Sequence, residues 1–111
     1  MPTDQGAWPV PVPINELPRR GRAVCSGVID AVTIRPASSS LEFTAILTDR
    51  EFHRTPDDGG SHRLRLVWLG RRRVPGIEVG TRLRVEGMVS LRDGLPTMFN
   101  PRYEIIGTQE G

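Results

Sequence analysis

Leu41, Phe43, Ala45 and Leu47 alternate with Glu42, Thr44, Ile46 and Thr48, the two-residue period of a half-buried strand. The same period recurs where Leu64, Leu66 and Trp68 alternate with Arg63, Arg65 and Val67. It appears again where Leu83, Val85 and Gly87 alternate with Arg82, Arg84 and Glu86. A Val-, Ile- and Thr-rich stretch from Arg22 to Arg35 predicts an earlier strand, in which Gly27 would permit a bulge or sharp coil. A last strand is expected over Thr97 to Ile106, where Pro101 must sit at an edge, an end or a bulge. Punctuation between these segments fits: Asp93-Gly94 specifies a tight turn, and Pro56-Asp57-Asp58-Gly59-Gly60 reverses the chain within a long polar loop from Asp49 to Ser61. No segment carries a convincing helical period. Five strands without a covering helix must close on themselves or pair as sheets, so the pattern predicts an all-β, five-stranded Greek-key barrel.

The first 18 residues contain five prolines, and Pro9-Val10-Pro11-Val12-Pro13 favours extended polyproline II. The expected organisation is a proline-rich arm over residues 1–21 that does not join the core as regular structure, a barrel over 22–106 and a tail over 107–111. Trp8 and Val10 are the arm residues able to pack on the barrel or on a second subunit. No apolar run approaches the ~18 residues of a membrane span, and the N-terminus lacks the basic and apolar regions of an export signal. The expectation is a cytoplasmic protein with no membrane association. Cys25 is the one cysteine, which rules out an internal disulfide and a thiolate-only metal site; its place in a strand suits a small core residue.

All 15 basic residues are arginine and lie between Arg19 and Arg102, so the barrel is more basic than the net charge of +2 for the whole chain. That balance biases partners toward nucleic acid or anionic surfaces. Gly80-Thr81-Arg82-Leu83-Arg84-Val85-Glu86-Gly87 looks like the glycine-bounded fourth strand of OB-folds. Its order relative to Gly27-Val28, Asp49, Leu66-Val67-Trp68 and Met98-Phe99-Asn100-Pro101-Arg102-Tyr103-Glu104 resembles the OB wedge domain of RecG-type branched-DNA helicases. The chain is also similar to small stand-alone actinobacterial OB-fold nucleic-acid-binding proteins. Across residues 22–106 the resemblance implies single-stranded or branched DNA, in preference to RNA, bound over strands two and three; the helicase motor domains are absent.

The candidate contacts follow from the alternation. If Leu64, Leu66 and Trp68 point inward, Arg63 and Arg65 point outward together beside Thr44 and Ile46. The competing reading is a solvated face on which Glu42 and Glu51 pair these arginines. Arg71-Arg72-Arg73 would track phosphates at a barrel rim, with Arg82 and Arg84 as secondary contacts that Glu86 partly neutralises. Phe52 and Tyr103 are candidate base-stacking residues, and Phe99 and Trp8 are weaker ones, from a supply of only six aromatics. His53, His62, Asp57 and Asp58 match no metal-ligand spacing, and no nucleophile, phosphate-loop or paired-carboxylate motif appears. The expectation is a non-enzymatic module without cofactor or metal. The alternative is a protein-interaction or assembly module that uses a barrel edge and the proline-rich arm.

Overall fold

The computed structural model describes residues 11–36, 41–48 and 63–108. Apart from a three-residue 3-10 turn at Ile14–Glu16, the regular structure is all β: β1 (Gly21–Pro36), β2 (Leu41–Thr48), β3 (Arg63–Leu69), β4 (Thr81–Arg92), β5 (Leu95–Phe99) and β6 (Arg102–Thr108). β1 pairs with β4 through its first half and with β2 through its second, β2 with β3, and β5 with both β3 and β4. The ring β1-β2-β3-β5-β4 therefore closes on itself as a five-stranded barrel. All pairs are antiparallel except β3 with β5. β6 continues along the edge of β4 that β5 has left.

β5 and β6 are two halves of one stave, broken at Asn100-Pro101 where the sequence allows Pro101 to sit. Asn100 takes a left-handed φ of 51°. Its backbone N–H donates to the Val67 carbonyl at 2.6 Å, and its side-chain oxygen accepts the Leu69 N–H at 3.0 Å. One residue thus ends the parallel ladder without orphaning its donors. The Asp93-Gly94 hairpin turn forms as expected, with positive φ at both residues, as a type I′ geometry requires.

Gly27 has a different task from the one its position suggests. The register break in β1 falls between Ile29 and Ala31. At Gly27 a Cβ would lie 2.4 Å from the Thr48 carbonyl oxygen. The residue permits close approach of β2 just before β1 changes partners at Val28, which is in register with both Thr48 and Arg82.

The inward positions read from alternation are the core: Phe43, Ala45, Leu47, Leu64, Leu66, Trp68, Leu83 and Val85 are buried, joined by Cys25 and Met98. Trp68 meets Phe43 and Tyr103 edge-on, with ring centroids 6.1 and 5.7 Å apart, and donates its indole N–H to the Pro101 carbonyl at 3.3 Å. Val74 and Ile77, from the β3–β4 connection, also belong to this core. So does Ile14, only 1% exposed, from the segment that precedes β1. The Val12 N–H donates to the Val24 carbonyl at 2.8 Å, and the turn at Ile14–Glu16 then inserts the isoleucine. Leu17, partly buried, packs against the same core, so apolar contact docks the turn. Trp8 lies outside the described residues.

Candidate functional site

Residues directly opposite one another on paired strands face the same side of a sheet. With Leu64, Leu66 and Trp68 inside, Arg65 and Val67 project outward from β3. Register then carries two rows across the barrel's outer surface. Thr33, Thr44, Val67 and Phe99 form one, and Ile46, Arg65, Thr97 and Ser90 the other. These rows enclose a groove of about 400 Å³. Val67 and Thr97 are its buried floor, and the Thr97 hydroxyl donates to the Leu95 carbonyl at 3.0 Å. Glu42, Arg65, Arg92 and Asp93 also line it.

The groove combines cations with a flat surface. The Arg92 guanidinium sits 5.0 Å from the centroid of the Phe99 ring. Arg65 faces Asp93 at 3.6 Å, and the aspartate side chain is 87% exposed, so solvent screens the pair and it holds Arg65 weakly. Two arginines and two acids leave the groove formally neutral. Its attraction for phosphate therefore depends on these weak pairings yielding and on arginines at its margins.

Of the residues predicted from sequence, Thr44 and Arg65 line the groove, and Arg65 stands opposite Ile46 as expected. Arg63 lies one outward position before Arg65 on β3 and is exposed. Arg71, Arg72 and Arg73 are exposed in the β3–β4 connection, which leaves β3 beside the groove's Glu42 end: the Gly70 N–H donates to the Leu41 carbonyl at 2.8 Å. Phe52 lies outside the described residues, as do His53 and His62.

Arg82, Arg84 and Tyr103 are not brought to the groove. Arg84 is in register with Ser26 and Glu104 on a different sector of the barrel, and donates to the Glu104 carboxylate at 3.1 Å. Arg82 belongs to the same outward series on β4. Glu86 does not serve these arginines in the way the alternation suggests. It is 8% exposed and ion-paired to Arg22 on β1 and Arg102 on β6. Hydrogen bonding from Arg22, reinforced by Arg102, holds its carboxyl below the usual range despite the opposing effect of burial. Tyr103 is a packing residue: its ring lies against Trp68 and its hydroxyl donates to the Pro75 carbonyl at 2.9 Å.

Several groove residues escaped assignment from sequence, among them Arg92 and Thr97, and Phe99 was one possible stacking residue beside Phe52, Tyr103 and Trp8. A signal for them exists. With Met98 inside, alternation sends Thr97 and Phe99 outward, and the two-residue Asp93-Gly94 turn returns the chain so that Arg92 flanks the same strand.

Among the described residues no cluster of three histidine, cysteine or acidic side chains is arranged to hold a metal ion, and no helix is long and apolar enough to cross a membrane. The chain thus belongs to the class of small closed β-barrels with an outer-face groove. In comparison with known proteins it matches no family model, no curated protein and no solved structure.

Proposed function

We propose that the protein is a non-enzymatic OB-fold module that binds single-stranded or branched DNA along the outer groove. The observation that carries this reading is the groove itself, which joins Arg65 with an arginine-capped aromatic, Arg92 on Phe99. Guanidinium groups meet phosphates and a planar ring accepts a base, the two requirements of a single-strand surface. The closed order β1-β2-β3-β5-β4 with parallel β3 and β5 supports the Greek-key OB assignment. Likeness to RecG-type wedge domains favours forked over fully duplex ligands. Phosphates are met by Arg65, Arg92 and Arg63, with Arg71 to Arg73 extending the path from the Glu42 end, and Thr44 supplies a hydroxyl. Because the groove is formally neutral, affinity is modest, and because it rests on phosphate contacts it falls as salt rises.

Fluorescence anisotropy with labelled single-stranded, duplex and forked DNA and with RNA, at two salt concentrations, tests the reading. Single-stranded or forked DNA should bind in preference to duplex, weakening with salt. Absence of binding to every ligand at low salt would overturn it.

A second reading draws on β6, which among the described residues pairs only with β4 and exposes Ile105 and Ile106. Such an edge can accept a partner's strand. Native mass spectrometry that finds a dimer abolished by Ile106→Lys would favour this reading.

A further inference from the structure

A second cleft, of about 540 Å³, shares Phe99 with the groove as a lining residue. Met88 on β4 lies in register with Arg22 on β1, and Glu86 with Arg102 on β6. These four side chains, with Asn100, surround the cleft. Glu86 is central to it. One carboxylate oxygen accepts from Arg22 at 3.0 Å and the other pairs with Arg102, so a nearly buried acid fixes two guanidiniums whose side chains remain 65% and 54% exposed. The Arg22 guanidinium carries five N–H donors in a planar fork, more than one carboxylate oxygen can occupy. The cleft has a formal charge of +1, in contrast to the neutral groove. Met88, 56% exposed, offers a soft apolar surface next to the Phe99 ridge.

We infer that this cleft is a second phosphate-and-base subsite, and that a single DNA strand lying in the groove crosses the Phe99 ridge into it. A phosphate is met there by Arg22 and Arg102, and a base lies against Met88 and Phe99. Thr44 and Arg22 stand on the first and last of five consecutive strands along this path, β2-β3-β5-β4-β1, four intervals of about 4.8 Å, so roughly 19 Å of surface is available for the strand. The inference rests on the groove-binding reading, which supplies the strand's first contacts.

The test compares oligothymidylates of about 2 nucleotides, too short to reach both subsites, and of about 12, within the span of site sizes that one barrel of this kind covers. Their binding to the full chain and to Arg22→Ala and Met88→Glu variants is measured by competition anisotropy, with circular dichroism as the check on folding. Met88→Glu places a negative charge opposite Arg22, where it competes with phosphate for that guanidinium. Both variants should weaken binding of the longer strand at least fivefold and reduce its logarithmic salt slope by about 0.7, leaving the shorter strand's affinity unchanged. Unchanged affinity of folded variants for the longer strand, or equal loss for both lengths, would overturn the second subsite while leaving the groove intact. If the unaltered protein binds neither length at low salt, the groove reading fails and the subsite fails with it.

Discussion

Replacing Ile14 with alanine removes three carbon atoms from a side chain that is 1% exposed inside the barrel. At about 0.8 kcal/mol per buried carbon the transfer cost alone is about 2.4 kcal/mol. The cavity left behind raises the expected loss to about 3–4 kcal/mol, because β-strands hydrogen-bonded around a ring collapse poorly onto a void. A chain of this size has a total stability of roughly 5–15 kcal/mol, so the variant should remain folded but melt about 12–25 °C lower. Ile14→Val, which removes one carbon, should cost about 1 kcal/mol. Urea and thermal unfolding followed by far-ultraviolet circular dichroism measure both. The loop-like surroundings of Ile14 make the test discriminating. If Ile14→Ala costs less than about 1 kcal/mol, the turn at Ile14–Glu16 is not part of the core, and the barrel begins only at β1.

Glu86→Gln should cost about 1–2 kcal/mol at neutral pH, between the values for exposed and buried pairs because both arginines remain largely in solvent. The folded carboxyl titrates below its unfolded value, so its contribution is complete above about pH 4.3 and declines as pH falls further. Urea midpoints measured from pH 7 to pH 3 should therefore fall less steeply for the glutamine variant than for the unaltered protein. Gly27→Ala, whose added carbon would meet the Thr48 carbonyl at 2.4 Å, should lose about 3 kcal/mol or fail to fold. Gly94→Ala, with open space around it and only a φ of 77° to strain, should lose about 1–2 kcal/mol by the same unfolding assay. Asp93→Asn keeps a residue type suited to left-handed turns and removes the acid facing Arg65, so single-strand affinity should rise two- to fivefold, about 0.5–1 kcal/mol, by anisotropy at constant salt.

Local pattern made much of the barrel legible. Alternation identified the inward faces of β2 and β3, and the same alternation pointed Arg65 and Thr44 outward together. Asp93-Gly94 and Pro101 marked a turn and a break because their backbone constraints are intrinsic to the residues. What local pattern does not encode is pairing between distant strands. The parallel match of β3 with β5 brings Thr97 and Phe99 beside Arg65, and only that match turns an outward arginine into the wall of a groove. Glu86 finds Arg22 and Arg102 across two different ladders, whereas along its own strand the nearest outward partner is Arg84. Ile14 was hidden for another reason: prolines on either side of it favour an extended backbone, whereas the residue sits in a 3-10 turn that no periodicity in the sequence signals.

The central claim is that phosphates are held on the outer groove by Arg65 and Arg92. The dependence of single-stranded DNA affinity on salt, measured for the unaltered protein and for the Arg65→Ala/Arg92→Ala variant, tests it most directly. Each lost contact should reduce the logarithmic slope by about 0.7, so the double variant should bind more weakly with a slope shallower by about 1.4. A folded double variant with the slope and affinity of the unaltered protein would contradict the claim.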